Sequence, residues 1–169
     1  FQNHGMSFGA DTNAHTGFTE TVYKLDLPNR DPASLREGLQ VLRDFADGLN
    51  LDEAEVQAEK GVIDGEERER DSAGFRAFVA SLQRLYAGSL VPERLPIGTR
   101  EDRDAFDAAS VRAFYQRWYR PENMTIVIVG DLRDLNPEAL VREVFAGMNH
   151  PLTGVAIEPA PGRYVKAKA

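Results

Sequence analysis

Two glutamates, Glu59 and Glu66, stand seven residues apart in the stretch EKGVIDGEERER. Seven residues make two turns of an α-helix, so both side chains would point the same way, about 10 Å apart along the axis. Val56 and Ile63 fall on the same stripe, and a carboxylate on an apolar face is costly unless it finds a cation, a donor or a metal. The spacing therefore indicates either a metal site or a helix edge whose glutamates pair with basic residues one turn away.

The three histidines, His4, His15 and His150, do not complete a metal site on their own. No H-x-x-x-H, H-x-x-E-H or H-E-x-x-H pairing occurs, and the chain has no cysteine. A structural zinc site needs four protein ligands, and a catalytic zinc site needs three protein ligands and a bound water. The chain as given is therefore expected to assemble no ordinary zinc site by itself.

The stretch GADTNAHTGFTETVY, residues 9–23, is small, polar and rich in β-forming residues. Such a composition suits an exposed edge strand, whose free N–H and C=O groups can accept an extended peptide as an added strand. An ordinary hairpin is the alternative interpretation.

Hydrophobic periodicity predicts the elements that position these residues. Residues 6–27 are predicted to form strands, of which 21–27 alternate, and 124–131 form a continuous apolar strand of the kind buried on both faces. Helices are predicted over 31–49, 52–71, 72–85, 108–119 and 136–148. The predicted caps of the first three are Asp31, Asp52 and Ser72, with Pro32 at the first helical position after Asp31. The third helix presents an apolar face to the core: Phe75, Phe78, Val79, Leu82 and Leu85.

The order of strands, helices, strand and helix predicts an α+β fold, a mainly antiparallel sheet with helices packed on one face. Residues 1–149 are predicted to form one domain and 150–169 a linker or tail. Gly61 and Gly65 each cost up to ~1 kcal/mol relative to alanine in a helix interior, which predicts a backbone or a site close to this helix.

Composition bounds the partners. The 169 residues are 42% hydrophobic, enough for a core, and the net charge of -7 argues against nucleic acid as a partner. No run of 18 apolar residues occurs, so no membrane span is predicted. The chain opens on Phe1 rather than methionine, and its natural N-terminus is expected to lie further upstream.

Four stretches, in this order, resemble the insulinase/pitrilysin family of zinc peptidases, the inverzincins: FGADTNAHTGFTETVYKLDLPN, EKGVIDGE, RLPIGT and FYQRWYRPENMTIVIVGD. The resemblance implies an insulinase or mitochondrial-processing-peptidase-like half-domain. The family binds zinc through H-x-x-E-H, two histidines around a glutamate general base, and a glutamate from a later helix. Glu66 matches that third ligand and Glu59 a supporting glutamate, while Asn13, Ala14 and His15 match the substrate-binding edge strand.

The resemblance implies that the parent protein is a zinc endopeptidase that hydrolyses peptides through a metal-activated water. The H-x-x-E-H helix and its general base are expected upstream of Phe1, so the chain would be a fragment of the N-terminal catalytic domain. Alone it is predicted to bind no zinc tightly and to be inactive. The alternatives are a non-catalytic family member that acts as a scaffold or partner subunit, and an unrelated α+β binding module.

The implied partners are an extended peptide substrate and the second half-domain or partner subunit of the peptidase. Loss of a helix and a strand upstream would also expose apolar surface and a sheet edge, so association between copies is expected. A bacterial source is implied, in the cell envelope, the periplasm or the cytoplasm.

Overall fold

The computed structural model describes residues 12–148. Within that range the chain divides into two compact units. The first comprises residues 12–15, 21–50 and 114–148, and the second comprises 16–20 and 51–113. No helix of the described range is long and apolar enough to cross a bilayer.

The first unit is built around helix α1, Pro32–Asp47. As predicted, Asp31 caps it by accepting the Ser34 N–H, and Pro32 opens it. Strands β1, Thr12–Thr16, and β2, Thr21–Leu25, form a two-stranded antiparallel sheet. The unit also contains the second half of α5, Ala108–Trp118, and all of α6, Pro137–Val144.

The core of this unit joins α1 to α5 and β2. Leu39 is 2% exposed, and Leu35, Ala46 and Tyr115 are also buried. The Tyr115 hydroxyl donates to the Phe45 carbonyl at 2.9 Å. Aromatic rings therefore occupy the space between these elements, which suits the large apolar area that each ring buries.

The second unit is helical. It contains α2, Glu53–Arg70, and α3, Ala73–Leu85, which Asp52 and Ser72 cap as predicted. A single 3-10 turn, Pro92–Arg94, precedes α4, Arg100–Ala105, and the first half of α5 follows. Helix α4 was not predicted.

The prediction of a mainly antiparallel sheet was wrong for the described residues, which form six α-helices and one two-stranded sheet. The largest error concerns residues 124–131, which form no strand. Their side chains alternate, with Met124, Ile126 and Ile128 half-buried but Val127 and Val129 76% and 90% exposed. The segment has the pattern of a strand, but no neighbouring strand among the described residues pairs with it. Residues 6–11 of the predicted strand region lie outside the described range.

The apolar face predicted for α3 is not a buried face. None of its residues is fully buried, and Phe78 and Leu85 are 50% and 77% exposed. Phe75, Val79 and Leu82 are half-buried. Periodicity placed these side chains on one side of the helix correctly, but the unit supplies too little neighbouring surface to cover them. The predicted boundary at 149/150 lies at the edge of the described range and stays a prediction.

Candidate functional site

Helix α2 carries both predicted site glutamates on a solvent-facing side. Glu59 and Glu66 are exposed, and Val62, which lies between them on the same face, is 53% exposed. Val56, about one turn before Glu59 on the same stripe, is 8% exposed, so the edge of the buried face runs through the stripe. The two carboxylates therefore do not lie on a buried apolar face. Solvent can hydrate them, so neither requires a buried cationic partner.

Glu66 pairs with a cation one turn along α2, Arg70, whose Nη2 lies 3.5 Å from Glu66 Oε2. This is the one-turn pairing expected of a helix edge. Both side chains are about half exposed, at 55% for Arg70 and 51% for Glu66. Exposed pairs with i,i+4 spacing stabilise a helix by only ~0.3–0.5 kcal/mol. The pair therefore restrains the Glu66 carboxylate only weakly and leaves it able to bind a stronger cationic partner.

Gly61 and Gly65 do not mark a close approach within the described chain. A methyl group built at Gly61 would meet nothing within 4 Å, and one at Gly65 would meet only the end of the Arg68 side chain at 3.9 Å. The expectation of a backbone packed against them was wrong for residues 12–148. Over the same range, no group of three or more metal-ligating side chains lies together.

The opposite side of α2 is fastened by a buried arginine of α4. The Arg103 side chain is 4% exposed, and its Nε donates to Asp64 Oδ1 at 3.0 Å. Its Nη2 donates to Glu67 Oε2. Its Nη1 donates to the carbonyls of Ile97 at 3.1 Å and Gly98 at 3.4 Å. One guanidinium thus joins two turns of α2 to the loop that precedes α4.

Two further contacts hold α2 along the same side. Lys60 Nζ donates to the Asp104 carbonyl at 3.3 Å and lies 4.9 Å from the centre of the Phe106 ring. At the start of the helix, Glu53 Oε2 accepts the Ala108 N–H at 3.0 Å. Contacts to residues 97–108 therefore run from the first turn of α2 to its fourth.

Strand β1 carries the predicted substrate-binding residues Asn13, Ala14 and His15, and all three are exposed. Within the described range β1 pairs with β2 alone, so its other edge has no strand neighbour there. The Ala14 N–H is taken by the side-chain oxygen of Asn13 at 2.8 Å. The geometry is that of an accessible strand edge on which the Ala14 N–H is capped by the side chain of Asn13.

The structure thus places the predicted residues in two groups. Glu59 and Glu66 share one face of α2 in the second unit, and Asn13, Ala14 and His15 follow one another on β1 in the first. Their roles as metal ligand, supporting glutamate and substrate strand stay predictions.

Arg103 was missed by sequence reasoning because α4 was missed. Helix α4 follows a proline-rich loop, and its six residues are too few to show a helical period. The available signal was Thr99 with Asp102 three residues later, which form a reciprocal capping box in the structure. A basic residue one position further along then lies inside a short helix.

Comparison with known proteins gives a consistent set of matches. A family model described as the Peptidase M16 inactive domain matches residues 105–168. The probable zinc protease PqqL of Escherichia coli (strain K12) is 35% identical over 85% of this chain and 15% of its own length. A zinc protease PQQL-like of Arabidopsis thaliana is 35% identical over 77% of this chain and 14% of its own length. The chain spans a small part of these curated relatives.

Solved structures match over nearly the whole chain. The first half of the periplasmic protease PqqL from Escherichia coli has a TM-score of 0.84 and 32% identity, over 95% of this chain and 34% of that one. A mutant of the ferredoxin protease FusC, in complex with Arabidopsis ferredoxin, has a TM-score of 0.86 and 27% identity. That match covers 99% of this chain and 18% of the other.

Proposed function

This chain belongs to the M16 family of peptidases, and from that membership we propose that it forms part of a zinc-dependent endopeptidase. In this proposal α2 supplies one metal ligand and β1 supplies the strand that receives the substrate. Relatives that are named as zinc proteases support zinc as the metal. The observation that carries the proposal is Glu66, an accessible carboxylate on a helix that is fastened on its other side.

The residues present fit zinc as one ligand of a larger set. A carboxylate oxygen is an ordinary zinc ligand, and Glu66 is accessible and only weakly paired. Because residues 12–148 offer no three-ligand group, the other ligands must come from elsewhere in the protein. The histidine pair and general base expected upstream of Phe1 would complete the set. When bound, zinc would acidify a water and polarise the scissile carbonyl.

The residues of this chain would bind the metal and orient the substrate. Glu66 contributes a negative oxygen to the metal. Glu59, two turns earlier on the same face, is placed to accept a hydrogen bond from a ligating histidine or a water, the support that metal ligands commonly have. A substrate carbonyl that pairs with the Ala14 N–H must displace the Asn13 side-chain oxygen, so the two compete for one donor.

The proposed substrate is an extended segment of a polypeptide, because a free strand edge recognises backbone rather than a particular side chain. The structural match to FusC in complex with ferredoxin supports a protein substrate. The match to the first half of PqqL supports a second half-domain as the partner, and the description of PqqL as a periplasmic protease favours the periplasm for this protein.

A non-catalytic member of the family is the second candidate. The family model that matches residues 105–168 carries the description of an inactive domain, and this observation favours a supporting role for at least that part of the chain. In that case β1 would hold a peptide or a partner without cleaving it.

The experiment is Glu66→Gln in the full-length natural protein that contains this chain, with Glu69→Gln as the control. Both glutamates are exposed near the end of α2, but Glu69 lies roughly 60° from Glu66 and 80° from Glu59 around the helix axis, off the line that joins those two carboxylates. We expect Glu66→Gln to lose most bound zinc by elemental analysis, and peptide hydrolysis with it, while Glu69→Gln keeps both. Glu59→Gln should weaken zinc binding about 10-fold. Unchanged zinc content in Glu66→Gln would refute the ligand assignment, and a zinc-free wild type would favour the scaffold.

A further inference from the structure

We propose that Arg103 is a positioning residue for the proposed metal-ligand helix: it fixes the rotation of α2 about its own axis, and so the direction in which Glu59 and Glu66 point. This inference rests on the proposed function. It concerns a residue of α4 that touches neither glutamate and acts through the helix that carries them.

The contacts of Arg103 are those of a built anchor rather than a chance surface pair. The guanidinium is buried, and each of its three nitrogens has an acceptor. Asp64 and Glu67, its two carboxylate partners, are three residues apart on α2 and lie one above the other on the same side. A planar fork that meets two carboxylates on successive turns resists rotation, whereas a single contact acts as a pivot.

The anchored side of α2 faces away from the proposed ligand. An α-helix turns about 100° per residue, so Glu66 lies roughly 160° from Asp64 and 100° from Glu67 around the axis. The guanidinium therefore holds the helix on its far side, at Asp64, and on its flank, at Glu67, and the Glu66 carboxylate stays accessible. Holding the helix on the Glu66 side would have occupied the carboxylate that the metal needs.

The tolerance of a metal ligand shows why rotation matters. A side-chain oxygen lies roughly 5–6 Å from the helix axis. A turn of α2 by about 20° would then move the Glu66 oxygen by ~2 Å, which is the whole length of a zinc–oxygen bond. Lys60 and Glu53 also tether α2, but each grips it at one point. Arg103 instead bonds two side chains of α2 that lie three residues apart on successive turns.

The test uses Arg103→Met in the full-length protein, with Arg120→Met as a matched control. Arg120 is also buried, at 2% exposed, and its Nη2 bonds one carboxylate, Glu122, at 2.9 Å in the other unit. Three quantities are measured: the zinc dissociation constant by chelator competition, the visible spectrum of the cobalt-substituted protein, and the thermal midpoint. The spectrum reports ligand geometry, which a purely structural loss elsewhere leaves unchanged.

We expect both arginine variants to lower the thermal midpoint, because each removes a buried cation that bonds carboxylate side chains. Arg103→Met alone should weaken zinc binding about 10-fold and alter the cobalt spectrum, and Arg103→Lys should recover part of the affinity. If Arg103→Met does not fold, the triple change Arg103→Met, Asp64→Asn and Glu67→Gln replaces it. That variant removes the charges together and should show the same loss of zinc affinity.

The inference is overturned if Arg103→Met, or the triple variant, keeps the zinc affinity and cobalt spectrum of the wild type. Arg103 would then be a structural residue only. Glu66→Gln, measured in parallel, separates this failure from the failure of the proposed function. If Glu66→Gln also keeps its zinc, or the wild type binds none, the ligand assignment fails and the positioning role fails with it.

Discussion

Two glycine-to-alanine substitutions should change stability in opposite directions, although both glycines lie inside helices. Gly61 is exposed on α2, and an added methyl group would meet nothing within 4 Å. Gly38 is buried on α1, and the same methyl would lie 2.9 Å from Leu27 Cδ2 and 3.1 Å from Leu25 Cδ2. The propensity gain is common to both sites, so the contact decides the sign.

The magnitudes follow from these distances. Alanine is favoured over glycine in a helix interior by ~1 kcal/mol, and Gly61→Ala should gain about that much. At Gly38 the two leucine methyls lie roughly 0.5 Å inside the best carbon–carbon separation of ~3.5–4.0 Å. Overpacking of that kind costs ~1–3 kcal/mol, which offsets or exceeds the propensity gain. Gly38→Ala should therefore be neutral to destabilising by ~2 kcal/mol.

Urea unfolding distinguishes the two sites because they lie in different units. Trp118, the single tryptophan, belongs to the first unit with Gly38, so its fluorescence follows that unit. Far-UV circular dichroism follows the helices of both. We expect Gly38→Ala to leave the fluorescence midpoint unchanged or lower it, and Gly61→Ala to raise the midpoint of the dichroism transition. A lower stability in Gly61→Ala would refute the reasoning, since it would mean that this face of α2 is covered.

Two further predictions test the first unit and the segment after α5. Burial raises the pKa of the Tyr23 phenol well above its ordinary value, and its 2.6 Å hydrogen bond with Tyr119 raises that pKa further. At high pH the unfolded chain therefore ionises this phenol while the folded state keeps it neutral. The free energy of unfolding should fall as pH rises above about 10. Tyr23→Phe should flatten this fall in urea midpoints measured between pH 8 and 11. Val129→Thr, at a 90% exposed position, should change the free energy of unfolding by less than ~0.5 kcal/mol, whereas Val56→Thr, at 8% exposed, should cost more than ~1 kcal/mol by the same assay.

Local signals predicted the helices well because their causes are local. Asp31, Asp52 and Ser72 each cap the helix that the sequence assigned to them, and each accepts a backbone N–H within three residues. Capping and apolar spacing depend on neighbours along the chain, which a sequence displays directly. The resemblance to a peptidase family depended on four such stretches in order, and the family assignment is confirmed.

Features that depend on distant partners were not predicted from the sequence. The apolar run around Val127 looks like a buried strand, yet burial needs a neighbour on each side, and the described chain does not provide one. Phe78 and Leu85 of α3 fail in the same way. Arg103 shows the converse, because its partners Asp64 and Glu67 lie 39 and 36 residues away. A charged residue in a short helix gives no sign of such burial.

The glutamate stripe of α2 shows what spacing alone leaves undecided. Val56, Ile63, Glu59 and Glu66 fall within roughly 80° of one another around the helix, so their spacing assigns them one direction. Within that arc, exposure rises in order from Val56, which is buried, through half-buried Ile63 to the two exposed glutamates. The edge of the buried face thus runs through the stripe, and its place depends on how α2 is rotated. Because Arg103 holds α2 from behind, the helix can be fixed without covering either carboxylate, and a proposed metal ligand needs both properties at once.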